Sequence, residues 1–414
     1  MTTRTSDTEG CAVLEGVRVL ELARVGPPAF CTMMLGDFGA EIIKVETPGK
    51  YGEVFGSGNS PGPKHRTAAA ANALNRNKRS IVLDLKGDAG RALFRQLVES
   101  SDVLVEGFRP GVMARLGAGY PELSAINPRL IYCSMSGFGQ SGPYRDRPGH
   151  DLNYIALGGV LNLIGAPGGL PAIPLNLVAD YAGASLHATV AILLALLARG
   201  HRGRGQFVDV SYLDGTVALL AASPVFARFL AGGPAVRRGE NVFAGGYPYY
   251  AVYEASDGRL LTLACTEPHL WREFCRAVGR DDWMSSVFRP EHFAVAPDAE
   301  MQRVKAEVAA LVRTRPCAEW FDRLAGTGAC TAPVLTPEEV VRDGHLRERG
   351  MFVDVDAGGG TTVRHPGIPF KLSDTPGRVR HTGPVRGQDT EAVLRELGLS
   401  AEEIETLRRT GAIE

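Results

Sequence analysis

The chain has 414 residues, long enough for two domains or one large one. Its 44% apolar and 22% charged residues are those of a globular protein, and a net charge of −1 lacks the basic excess of a nucleic-acid binder. Seven scattered cysteines without a CxxC argue against a disulfide framework or a zinc site, so reduced thiols and a cytoplasmic location are expected.

Met1 to Glu9 is polar and has no hydrophobic targeting core. The first third then alternates strands and helices. Val17 to Leu22 reads as a strand closed by Gly26-Pro27-Pro28, with a helix over Phe30 to Asp37. Glu41 to Val45 and Ser80 to Leu85 read as the second and third strands. Between them, residues 50–75 are rich in Gly, Pro, Ser and Ala and read as a long surface loop, which is often functional. A helix follows with Ala89, Leu93, Phe94 and Leu97 on one face, then strands over Asp102 to Val105 and Leu130 to Ser134. Strands separated by helices predict a parallel α/β sheet. No GxGxxG follows the first strand, so the usual dinucleotide fingerprint is absent.

A strong helix runs from Asp180 to Arg199; its apolar run, Ala188 to Ala198, is too short for a bilayer and reads as a buried core helix. Gln206 to Tyr212 alternates like a strand, and Leu213 to Leu230 reads as helical. Beyond 233 the pattern changes. Tyr249 to Glu254 and Arg259 to Cys265 predict a hairpin around Asp257-Gly258, with helices over 268–278, 299–313 and 317–325 forming a separate small domain. The last part holds a helical patch at 337–345, a Gly-rich loop at 357–360, and helices over 389–397 and 400–410. Ser400 and Glu403 make a capping box for the last of these.

Three short segments could carry chemistry. Gly137-Phe138-Gly139-Gln140-Ser141-Gly142 follows a strand and leads to Gly149-His150-Asp151-Leu152-Asn153-Tyr154. Bare backbone N–H groups in such a turn can meet an anion or carbonyl, and His150 and Asp151 offer a base beside a carboxylate. The same residues also suit a plain structural turn. Asp180 opens the strongest helix, as a simple N-cap or as a carboxylate kept ionised by the helix end. Glu267 ends a strand and precedes Pro268, where a glutamate is ordinarily just solvated. Arg76, Lys78 and Arg79 precede a strand; Arg109 and Arg115 follow one, on the side where open α/β sheets bind ligands.

These segments, in this order, resemble the class III CoA-transferase family, which includes α-methylacyl-CoA racemases. The likeness is carried by Leu14 to Glu21, Gly39 to Glu46, Asn75-Arg76-Asn77-Lys78-Arg79-Ser80, Glu106-Gly107-Phe108-Arg109-Pro110-Gly111, Gly205 to Ser211 and Leu397-Gly398-Leu399-Ser400. The resemblance implies a large Rossmann-like domain with a parallel sheet built from both chain ends (1–225 and 336–414) and a smaller α+β domain (226–335). It further implies an interlocked homodimer whose sites lie between large and small domains of different subunits. No metal, redox cofactor, nucleic acid or membrane is implied. Coenzyme A arrives within the acyl-CoA substrate.

The aspartate acylated in the family's transferases matches Asp180. The histidine and glutamate that its racemases add match His150 and Glu267, so the resemblance favours a racemase of 2-methylacyl-CoA thioesters. His150, supported by Glu267, then serves one face of the α-carbon and Asp180 the other. Asp151 orients its neighbours, Arg115, Lys78 and Arg109 hold phosphates, and Tyr154 lines the pocket. Where the family often carries an arginine for CoA, this chain has Thr47, with Lys50 or Arg79 as substitutes. The alternatives are a CoA-transferase working through Asp180 and a non-catalytic acyl-CoA-binding subunit.

Overall fold

The computed structural model describes residues 12–23, 26–49, 63–234, 237–293 and 295–414. Six strands form one parallel sheet: β1 Arg18–Leu22, β2 Glu41–Glu46, β3 Lys78–Val82, β4 Val103–Glu106, β5 Ile131–Ser136 and β6 Phe207–Ser211. Their order is β3-β2-β1-β4-β5-β6. Every pairing is parallel. Such strands are buried on both faces, which is why β4 and β5 are buried throughout and read as apolar runs. The order reverses between β1 and β4, where ligands of doubly wound sheets bind beyond the carboxyl ends.

The helices introduced first are α1 Gly26–Asp37, α2 Pro63–Ala71, α3 Asp88–Glu99, α4 Val112–Arg115, α5 Tyr120–Ile126 and α6 Asp151–Leu157. α1 begins at Gly26, not Phe30, because Pro27 and Pro28 fall in its first turn, where no N–H is needed. α3 buries Gly90, Leu93, Phe94, Leu97 and Val98, so Gly90 rather than Ala89 faces the sheet. A Cβ at Gly90 would stand 2.1 Å from the Asp84 carbonyl oxygen. The long-loop expectation falls partly on 50–62, outside the described residues; from Pro63 the chain is helical.

The contacts divide the chain into two units. The first holds the described residues up to Tyr154, Asn176–Thr216 and Asp343–Glu414; the second holds Ile155–Leu175 and Val217–Arg342. The excursion at Ile155–Leu175 is invisible in the sequence pattern. It is tied to its own unit by Arg238, which donates to the carbonyls of Asn162 and Gly169. The second unit has the expected hairpin, Tyr250–Glu254 with Leu260–Ala264, extended by Thr331–Pro333. Its core packs Trp271, Trp283 and Trp320, all essentially buried. A further hairpin, Phe352–Asp356 with Thr362–Pro366, brackets the Gly-rich residues 358–360 and went unread in the sequence.

The motif Asn75-Arg76-Asn77-Lys78-Arg79 anchors the chain's return to the first unit. Arg76 makes a buried two-point ion pair with Asp37 and also reaches the Pro366 carbonyl. Asn77, at φ +58°, donates to the Arg378 carbonyl and accepts from Arg380 N. At the end, Ser400 and Glu403 form the predicted capping box.

The strong helix spans Leu177–Arg202. Its first ten residues, Leu177–Leu186, are π-helical; α7, His187–Arg202, continues it. It is not the buried core helix expected: Leu186, Val190, Leu193, Leu194 and Leu197 are exposed, while the opposite face packs on α1 and β5. By length and composition this helix would suit a membrane span, a test that the core helix of a soluble protein also passes.

Candidate active site

Strands β4, β5 and β6 and the turns after β4 and β5 are joined by one hydrogen-bond network. Glu106, buried at the end of β4, accepts from Ser134 Oγ and from Phe108 N. Gln140 Nε2 donates to Ser134 Oγ, and Gln140 N donates to Asp209 on β6. Burial pushes the Glu106 carboxyl up to about 7. These bonds hold the Gly137–Gln140 turn against the sheet edge.

That turn receives Tyr154 of α6. A Cβ at Gly137 would fall 2.3 Å from the Tyr154 hydroxyl, and one at Gly149 would fall 2.7 Å from its ring, so both positions need glycine. Tyr154 packs edge-on against Phe138 and against Tyr212 of α8, Tyr212–Leu219. Burial, then the charge of Asp180, lifts the Tyr154 phenol to about 12.

His150 stands just before α6. Its N–H donates to Asn153 Oδ1, and its carbonyl accepts from Asn153 N and Tyr154 N, as an N-capping turn does. The structural and chemical readings of this segment therefore coexist: the backbone is committed, while the exposed imidazole has no hydrogen-bond partner among the described residues. Asp151 is buried, and its Oδ2 accepts from the N–H groups of Ala179 (2.8 Å) and Asp180 (2.9 Å). Its Oδ1 is also buried and has no partner among the described residues.

Asp180 is not an N-cap. It is the fourth residue of the π-helix, and Asp151 satisfies the free N–H groups there. The half-buried Asp180 carboxylate accepts from Asn176 Nδ2 at 3.2 Å. Burial raises it to about 6; the Asp151 charge adds to this, while the Asn176 hydrogen bond and His150 oppose it. The expected pull of the helix end toward ionisation is thus outweighed by burial. Two tyrosines packed nearby, Tyr181 and Tyr212, are also raised by burial first and Asp180 second.

Asn176 escaped the sequence reading. It follows Leu175, which sits at φ +58°, an uncommon left-handed conformation for a side chain with a Cγ branch. An Asn four residues before an Asp, on one helical face, is the only signal the sequence carries for this pair.

Glu267 lies in the second unit, exposed at the N-cap of the helix Pro268–Val278, with Thr266 Oγ1 donating to it at 3.0 Å. Lys78 is displaced from the phosphate set. It is fully buried, ion-paired with Glu21 at 2.7 Å, and donates to the Ala29 carbonyl, so it braces α1. Arg79 is engaged with Glu41 and Glu396 at the amino end of β3, opposite the ligand side. Lys50 lies outside the described residues. The Thr47 carbonyl accepts from Arg386 of the returning chain. Arg109 and Arg115 are exposed beyond β4 and have no carboxylate partner among the described residues. No group of three or more His, Cys, Asp or Glu among the described residues is placed to hold a metal.

A family model described as CoA-transferase family III matches residues 14–390. The α-methylacyl-CoA racemase of Homo sapiens is 38% identical over 97% of both chains. The succinyl-CoA–L-malate CoA-transferase beta subunit of Chloroflexus aurantiacus is 35% identical over 95% of this chain and 96% of its own. The crystal structure of a CAIB/BAIF family protein from Brucella suis superposes with a TM-score of 0.77 at 29% identity, covering 93% of this chain and 99% of that one.

Proposed function

The chain belongs to CoA-transferase family III, and from that premise we propose that it is an acyl-CoA racemase acting at the α-carbon of a 2-methylacyl-CoA thioester. The observation that carries the reading is Asp180. Its carboxyl is raised to about 6, its backbone is held by Asp151, and it shares an electrostatic field with His150. A carboxylate raised to that value is still mostly ionised at neutral pH, yet is a stronger base than an ordinary one and so takes the α-proton more readily.

In one direction ionised Asp180 takes the α-proton from one face, leaving an enolate-like thioester. Protonated His150 then delivers a proton to the other face. The enzyme ends with a neutral carboxyl and a neutral imidazole, the state that serves the opposite enantiomer. Glu267 keeps the auxiliary role that the family resemblance implies, and Tyr154 forms the pocket wall beside Asp180.

The competing reading is CoA transfer between carboxylic acids through an acylated Asp180, supported by the transferase relatives. The two separate cleanly. A racemase incorporates deuterium at the α-carbon of 2-methylacyl-CoA in D2O without an acceptor acid; a strict transferase does nothing until one is added. Absence of exchange from both enantiomers sinks the racemase reading. We also propose a homodimer, on the support of the apolar face left open on α7 and the family's interlocked arrangement.

A further inference from the structure

Two arginines beyond the sheet converge without a carboxylate between them. Gly111, at φ +81°, opens α4, and a Cβ placed there would stand 3.3 Å from Arg115 Nη1 and 3.8 Å from Arg145 Nη2. Both guanidinium edges therefore close on one point, no more than about 7 Å apart, where like charges repel. Arg115 has no ion pair among the described residues. Arg145 has only its exposed neighbour Asp146, through the other nitrogen at 3.3 Å.

The loop that carries Arg145 is built to hold it. Arg145 N donates to the Gly142 carbonyl, and Arg147 N to that of Tyr144. Tyr144 is gripped between Phe138, edge-on at 5.8 Å, and the Arg147 guanidinium, 4.3 Å from its ring centre. Phe138 in turn contacts Tyr154, so the same aromatic chain leads from Arg145 to the wall beside Asp180. Two cations meeting over a glycine, with the exposed Asp146 as their one carboxylate neighbour among the described residues, form a cradle for an external anion.

We propose that Arg145 joins Arg115 in a two-guanidinium clamp for a phosphate group of the coenzyme A moiety. The choice of ligand rests on the acyl-CoA reading above; the clamp itself rests on the geometry. Arg145 is a binding residue, remote in role from the proton transfer, so its loss affects affinity rather than turnover.

The test is calorimetric titration of the whole protein, wild type and Arg145→Ala, with CoA, 3′-dephospho-CoA, pantetheine and inorganic pyrophosphate. Arg145→Ala should weaken CoA about 10- to 100-fold, the worth of a charged hydrogen-bonded contact, and leave pantetheine unchanged. Arg145→Lys should recover part of the loss, since it keeps the charge and forfeits the fork. Equal losses for CoA and dephospho-CoA assign the clamp to the diphosphate; a loss for CoA alone assigns it to the 3′-phosphate. If wild type ignores CoA but binds pyrophosphate, and Arg145→Ala does not, the clamp stands and the acyl-CoA reading falls. Arg145→Ala binding CoA as wild type does, with an unchanged circular-dichroism spectrum, overturns the proposal.

Discussion

Asp180 should cost the protein stability at neutral pH, and Asp180→Asn should return it. The carboxyl titrates near 3.8 when unfolded and near 6 when folded, mainly because folding takes it partly out of water. The folded state therefore binds the proton more tightly. That stabilisation is fully present below the unfolded value and is lost as the pH rises through the folded one. A shift of about two units corresponds to ~3 kcal/mol for a fully enclosed group; solvent screening of this half-open side chain reduces it to about 1–2 kcal/mol. The Asp180→Asn variant presents a neutral side chain of nearly the same shape at every pH. Its advantage over wild type should be absent near pH 4, grow toward pH 6, and level off above about pH 7. Urea unfolding of both proteins at several pH values reads this directly, and the same preparations should show racemisation lost. If Asp180→Asn is no more stable than wild type at pH 8, or its gain is the same at every pH, burial is not what raises Asp180.

Three further outcomes follow from the site. Asn176→Ala removes the hydrogen bond that favours ionised Asp180, so the acid limb of α-proton exchange should move up by about half a pH unit or more, with little change in KM. An unmoved limb with a uniform loss of rate would mean that Asn176 is merely structural. Asp180→Ala and His150→Ala should each abolish inversion, about 10²–10⁴-fold, yet each retain deuterium exchange from one enantiomer, the opposite one in each variant. Equal loss of both exchanges in both variants removes the assignment of one base per face. Light scattering should give twice the 44.2 kDa chain mass, and Leu194→Glu on the open face of α7 should lower it; a monomeric wild type at micromolar concentration rules out the dimer.

What the sequence determined alone is whatever depends on local pattern. The strands of the parallel sheet were legible because burial on both faces forces unbroken apolar runs, as in Val103-Leu104-Val105, separated by amphipathic helices such as Asp88–Glu99. The capping box at Ser400 and the Asp257-Gly258 hairpin were legible because each is set within a few residues. His150, Asp151 and Asp180 stood out through ordered motifs.

Their partners did not, because those lie across the fold or depend on backbone shape. Asp151 caps N–H groups 28 and 29 residues away, and nothing local announces that bond. Lys78 and Arg109 look equally basic in sequence. The sheet register aims Lys78 inward at Glu21 on β1, whereas the turn after β4 leaves Arg109 in water. Asp180 looked like a helix cap held ionised by a positive end. Tertiary packing gave the cap to Asp151, supplied Asn176 through a strained residue and a π-turn, and enclosed the carboxylate enough to raise it to about 6. Residue type supplied the acid; only burial and neighbouring charge, which are properties of the folded chain, decided how strongly it holds its proton.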